Sequence, residues 1–162
     1  MKVRDLMVTD LVTAEPLETV AQVARKMREH KVGCVLIAKG DRLLGLITDR
    51  GITVKCVAEG LSPRTTRIEE IMTREPYTVS PDVEVVDAAR LFGHYRVRRL
   101  PVVEDGRWLV GILSVADVAT DLKTYFEGVF HELAEWRRTG QGGGAGAAPP
   151  PSKEGGRSKR RR

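Results

Sequence analysis

A hydroxyl and a carboxylate stand three residues apart at Ser114 and Asp117, directly after the apolar run Leu109-Val110-Gly111-Ile112-Leu113. The run predicts a strand and the residues beyond it a helix, so the pair falls at a strand-to-helix junction. A hydroxyl there can satisfy a free helix N–H or meet a phosphate, because the helix dipole favours an anion at that end. A carboxylate accepts two hydrogen bonds at once, which is what a ribose diol offers. The same pair is also a common helix cap, and its spacing alone does not separate the two uses. Arg98 and Arg99 precede a second apolar run, Leu100-Pro101-Val102-Val103. Guanidinium groups make charge-assisted, often bidentate contacts to phosphate, but an arginine at a strand edge is equally at home in solvent.

Constellations for catalysis are scarce. His30, His94 and His131 fall on predicted helices far apart in sequence, with no His–Glu pair at zinc spacing, and read as solvated or core histidines. The sequence holds no nucleophile motif, no Gly-Lys-Ser/Thr phosphate loop and no Gly-x-Gly-x-x-Gly turn, and the glycine run at 142–144 follows no strand. Cys34 and Cys56 form no metal-ligand spacing and read as small buried hydrophobes in a reducing compartment. The chain is therefore expected not to be an enzyme, to require no cofactor and to carry no metal.

The elements that must position Ser114, Asp117 and the arginines come from a duplication. Residues 3–52 reappear 65 positions later, so that Met7 falls on Met72, Thr13 on Thr78, Pro16 on Pro81, Val20 on Val85 and Ala24 on Ala89. After one inserted residue near Trp108 the offset becomes 66, and Gly45-Leu46-Ile47-Thr48 lands on Gly111-Ile112-Leu113-Ser114. Two copies of a unit too small to bury its own apolar face pack against each other and leave matched clefts at the seam.

Each copy opens on an apolar segment around Met7 or Met72, followed by an extended piece at residues 11–13 or 77–79 and a proline. Val20, Val23, Ala24 and Met27 recur at helical spacing, as do Val85, Ala88, Ala89 and Phe92. Thr19 with Gln22 three residues on predicts a capping box. Strands are expected at residues 34–37 and 43–47 around Gly40-Asp41, and at 100–103 and 109–113 around the hairpin signal Asp105-Gly106. A second helix is expected over residues 52–58, its counterpart starting near Asp117. The β-α-β-β-α order predicts an α/β (α+β) unit with its helices over one face of a short sheet.

The second copy's last helix runs on past its repeat. Leu122, Tyr125, Phe126, Val129, Phe130, Leu133 and Trp136 form a stripe at helical spacing, which reads either as packing on its own domain or as a dimer contact. The expected organisation is residues 1–60 and 68–121 as the two repeats, 61–67 as linker, 122–139 as helical extension and 140–162 as a disordered basic tail. From Lys153 onward there are six basic residues and one acid, which leaves 21 basic and 21 acidic residues elsewhere. The net charge of +5 is thus a property of the tail, and a nucleic-acid contact is conceivable only there. No apolar run approaches the roughly 20 residues that cross a bilayer, and the first residues lack a signal peptide's core, so a cytoplasmic protein without a membrane contact is expected.

Residues 3–120 resemble a tandem pair of cystathionine-β-synthase-type (CBS) domains, modules that sense adenosine-containing ligands. The resemblance rests on Asp5-Leu6-Met7, Thr13-x-x-Pro16, Gly45-Leu46-Ile47-Thr48-Asp49-Arg50, Ile71-Met72-Thr73, Thr78-Val79-Ser80-Pro81, Val97-Arg98-Arg99-Leu100-Pro101-Val102-Val103 and Gly111-Ile112-Leu113-Ser114-x-x-Asp117. It is similar in kind to small stand-alone bacterial CBS-pair proteins, including stress or hypoxic-response types. The resemblance implies two units packed through their sheets with pseudo-twofold symmetry, and clefts that bind AMP, ADP, ATP, S-adenosylmethionine or NAD. Asp117 matches the family's ribose-binding carboxylate, with Ser114 as its hydroxyl partner and Arg98 and Arg99 placed to meet phosphate. By the same analogy Thr78, Val79, Leu100 and Pro101 supply the adenine pocket. A second, weaker site falls at Thr13 and Thr48, because Gly51 stands where Asp117 stands in the other copy and Asp49 faces elsewhere on the helix. The expected function is a non-enzymatic regulatory module, a homodimer that passes the bound state to a protein partner. The alternatives are a ligand-free dimeric scaffold and a nucleic-acid-associated protein acting through its tail.

Overall fold

Val20, Val23 and Met27 turn one buried face of helix α2 (Val20–His30) inward, and Val85, Ala88 and Phe92 do the same for α5 (Val85–Tyr95). The expected capping box closes α2: the Thr19 hydroxyl accepts from the Gln22 N–H at 3.3 Å, and the Gln22 side chain accepts from the Thr19 N–H at 2.7 Å. The computed structural model describes residues 1–139. The basic tail, 140–162, and the side chains of Tyr125, Leu133 and Trp136 lie outside the described residues.

Each helix is followed by an antiparallel hairpin. Strands β2 (Cys34–Lys39) and β3 (Arg42–Thr48) turn through Gly40, whose φ is +57°. Strands β5 (Arg99–Glu104) and β6 (Trp108–Ser114) turn through Asp105 and Gly106, with φ of +48° and +71°, the left-handed conformation that an Asp-Gly step supplies. The duplication extends to irregularities, for the register shifts between Ile37 and Ala38 and at the equivalent Val102 and Val103. Strand β1 (Thr13–Ala14) adds in parallel to β2, giving the order β1-β2-β3-β6-β5. The two hairpins join through Arg42 opposite Trp108, where the Leu43 N–H donates to the Arg107 carbonyl at 3.1 Å and the Leu109 N–H to that of Asp41 at 2.8 Å.

The cores show an exchange. Single-turn helices α1 (Val3–Leu6) and α4 (Ile68–Ile71) open the two repeats. Val3 is fully buried with Val79, Ala88, Phe92 and Leu100 of the second repeat, whereas Ile68, Ile71 and Met72 join Val20, Val23 and Val35 of the first. The linker is not idle: the carbonyls of Pro63 and Thr66 accept from the N–H groups of Ala21 and Val20 at the start of α2.

Three elements differ from the sequence expectation. The second helices begin sooner, α3 at Asp49 (Asp49–Ile52) and α6 at Val115 (Val115–Thr139), because Thr48 and Ser114 cap them. α3 widens into a π-helical turn at Thr53–Val57, with no counterpart at the start of α6. Residues 77–79 are not a strand; Val79 alone bridges to Val102, and strand β4 (Thr73–Arg74) pairs with β3 instead. Met1–Tyr125 form one compact unit, and the described residues from Phe126 onward belong to a second. Within the latter Phe126, Val129 and Phe130 are exposed, the two phenylalanine rings 6.5 Å apart.

Candidate functional site

β6 delivers Ser114 to the N-terminus of α6, where the free N–H groups of a helix start need acceptors. The Ser114 Oγ accepts from the Asp117 N–H at 3.3 Å, while the Ser114 N–H and hydroxyl both donate to Asp117 Oδ2, at 2.7 and 2.6 Å. The cap is therefore real. It also immobilises the carboxylate and leaves Oδ1 without a hydrogen bond among the described residues. Ser114 and Asp117 border a cleft of about 290 Å³ whose other wall comes from the first repeat: Leu11, Val12, Gly33, Cys34 and Leu36. Lys31 and Arg99 meet Asp10 and Asp117 there, so its formal charges balance.

The matching junction in the first repeat opens on a larger cleft of about 490 Å³. Thr48 Oγ1 accepts from the Gly51 N–H at 3.0 Å, the counterpart of the Ser114 cap without its carboxylate. Arg50, Arg74, Arg98 and Arg99 line this cleft with Asp49 and Glu75, an excess of two positive charges. The second repeat supplies Pro76, Tyr77 and Val97 to its apolar wall. The loops at residues 10–12 and 75–77 thus each serve the cleft carried by the other repeat's junction.

Arg99 lines both clefts. A Cβ at Gly33 would stand 3.0 Å from Asp49 Oδ2 and 3.5 Å from Arg99 Nη2, so the missing side chain makes room for both groups over the strand start. Burial pushes the neighbouring Cys34 thiol up to about 11, with Arg99 pulling it down and Asp49 adding to the rise.

The four residues that the analogy gives to the adenine pocket lie away from the Asp117 cleft. Val79, Leu100 and Pro101 are buried inside the second repeat, where the Val79 N–H donates to the Pro101 carbonyl at 3.1 Å. Thr78 lines a separate groove with Arg42 and Glu69. None of the four borders the Asp117 cleft; Val79 bridges to Val102 within its own repeat. Arg98 lines the Thr48 cleft, not the Asp117 cleft, and the arginine excess sits there as well. Thr13 borders neither cleft; its carbonyl accepts from Lys26 Nζ at 2.9 Å. Asp49 does line a cleft, contrary to the helical-angle argument. Sequence reasoning missed Arg50, Arg74, Glu75 and Tyr77, and the 65-residue offset held a signal for them, since Pro76 and Tyr77 match Leu11 and Val12. Among the described residues no group of three His, Cys, Asp or Glu is placed to hold a metal ion, and no helix is long and apolar enough to cross a membrane.

Comparison with known proteins finds the same duplication. The CBS domain family matches the chain twice, over residues 3–56 and 68–123. An uncharacterized protein of Methanopyrus kandleri is 38% identical over 110 residues, 67% of this chain and 56% of that protein, so the chain spans little more than half of that relative. Hypoxic response protein 1 of Mycobacterium tuberculosis is 36% identical over 120 residues, 74% of this chain and 83% of that one. Among solved structures, the CBS domain pair of protein MJ0100 in complex with 5′-methylthioadenosine and S-adenosyl-L-methionine is 28% identical, covers 77% of this chain and 98% of that chain, and superposes with a TM-score of 0.69. The two matched segments are the two copies of the duplication, and this chain belongs to the CBS domain family.

Proposed function

We propose that the chain is a regulatory module that binds an adenosine-containing ligand in the Asp117 cleft. The observation that carries this is the state of Asp117: Ser114 fixes its Oδ2, and its Oδ1 stays open at a cleft whose apolar wall belongs to the other repeat. A ribose placed there donates its hydroxyls to the carboxylate, the base lies against Leu11, Val12 and Leu36, and Lys31 and Arg99 meet any phosphate. Such a ligand touches both repeats at once, so its binding favours one relative placement of them. That difference in affinity between two placements is the only means by which the bound state can reach a partner. The MJ0100 complex supports the ligand class. The module acts without catalysis, as a homodimer in the cytoplasm; two free, buried cysteines and the exposed Phe126, Val129 and Phe130 support that setting and that assembly.

Calorimetric titration with adenosine, AMP, ADP, ATP, S-adenosylmethionine and NAD tests the reading. At least one should bind well below millimolar, and Asp117→Asn, which keeps an acceptor for the Ser114 cap, should weaken adenosine binding about tenfold or more. Millimolar or absent binding of every ligand removes the sensor reading and leaves the scaffold.

A further inference from the structure

We propose that the C-terminal part of α6 pairs with the same segment of a second copy as a parallel, two-stranded coiled coil; this gives the homodimer proposed above its contact and rests on that reading. α6 is 25 residues long, and Leu122, Phe126 and Val129 are exposed along it. In sequence the series runs on to Leu133 and Trp136, so the apolar residues advance by four, three, four and three positions. That alternation is the seam of a coiled coil, which repeats about every 3.5 residues, with Phe126 and Leu133 at the a positions and Leu122, Val129 and Trp136 at d. The side away from the seam is polar. There the Thr124 hydroxyl donates to the Thr120 carbonyl at 3.1 Å, and His131 Nε2 lies 3.6 Å from Glu135 Oε1.

Charge selects the orientation. In a parallel pair the g position of one heptad faces the e position of the partner's next heptad. That register brings Tyr125 opposite the partner's Phe130 and Glu132 opposite the partner's Arg137, so an aromatic pair and an ion pair each occur on both sides of the seam. Phe130, which is 66% exposed, gains a cover as well. Reversing one helix while the apolar layers stay aligned sets Glu132 against the partner's Glu132 and Lys123 against the partner's Arg137, and like charges meet along both flanks. A second copy also fits this stripe better than the chain's own tail does. Residues 140–162 are glycine, alanine, proline and polar residues with no large apolar side chain, so they have nothing to bury against the phenylalanines.

Sedimentation equilibrium on the full chain, with oxidative cross-linking, tests the pairing and its direction. The native chain should be a dimer. Phe126→Glu and Val129→Glu, both at exposed positions, should each weaken that dimer by about a hundredfold or more while the monomer stays folded by circular dichroism. Glu132→Arg and Arg137→Glu should each weaken it by about fivefold, and the two substitutions in one chain should restore it. Val129→Cys should oxidise to a dimer linked through position 129, because d faces d in a parallel pair, whereas Gly128→Cys, where a Cβ meets nothing within 4 Å, should not. A monomeric native chain removes the homodimer reading together with this one. A dimer indifferent to both glutamates keeps the homodimer and overturns the helix pairing, and a trimer or tetramer overturns the two-stranded form. A dimer tightened by Arg137→Glu and not cross-linked through Val129→Cys overturns the parallel direction.

Discussion

Cys34 and Arg99 occupy equivalent positions, 65 residues apart, and the contrast between them shows how the duplication diverged. One copy begins its strand with a small buried thiol, the other with a cation shared by two clefts. Because burial holds the Cys34 thiol near 11 against an ordinary 9.0, the folded protein keeps the proton after the unfolded chain has lost it. The raised value means that this group's contribution is intact below pH 9.0 and is lost as pH climbs toward about 11. The loss amounts to about 2 to 3 kcal/mol at most. Urea titrations between pH 8 and 11 should show a steeper fall in stability for the native chain than for Cys34→Ala; parallel curves would mean that the thiol ionises normally. Arg99→Ala, which removes the lowering influence, should slow Cys34 alkylation further.

At the scale of elements, β3 and β6 carry glycines where a neighbouring segment presses on the sheet, but the two contacts are not the same. A Cβ on Gly111 would meet Met7 Sδ at 2.5 Å, the end of a flexible side chain, whereas on Gly45 it would meet both Met72 Sδ at 2.8 Å and the Thr73 backbone carbonyl at 2.6 Å. Gly111→Ala should cost about 1 to 3 kcal/mol, and much of that penalty should disappear when Met7→Ala is made as well. Gly45→Ala should keep its penalty in the presence of Met72→Ala, because trimming a side chain does not move a carbonyl. Double-mutant cycles in urea measure both, and a strong coupling at Gly45 would contradict the backbone contact. These glycines were visible in the sequence as a matched pair, as were the α2 cap and the Asp105-Gly106 turn, since each is fixed by residues a few positions apart. The early helix starts were within reach too, once Thr48 and Ser114 are recognised as caps. The π turn at Thr53–Val57 was not, because nothing local in Thr-Val-Lys-Cys-Val departs from an ordinary helical pattern.

For the molecule as a whole, apolar periodicity tells which face of an element is buried but not which core receives it. That is why Ser114 and Asp117 could be paired from sequence while Leu11 and Leu36, which the other repeat brings to the facing wall, were not read as its lining. The same limit hid the exchange of opening helices, which makes each repeat depend on a segment read as the other's. Val3 donates its N–H to the Val83 carbonyl at 2.8 Å, and Ile68 to that of Glu18 at 2.8 Å, so backbone and side chain agree on the exchange. Both side chains are fully buried. Val3→Ala should cost about 2 kcal/mol and Ile68→Ala about 2 to 5 kcal/mol, from lost burial and the cavity left behind. Where those losses fall is the sharper question, and native-state hydrogen exchange answers it. Val3→Ala should speed exchange at the amides of Leu100, Val102 and Val103 more than at Val35, Leu36 and Ile37, although Val3 precedes the latter in the chain. Ile68→Ala should do the reverse. Equal acceleration in both hairpins would mean that the repeats open as one cooperative unit, and acceleration confined to the hairpin nearer in sequence would show that the opening turns stay with their own repeats.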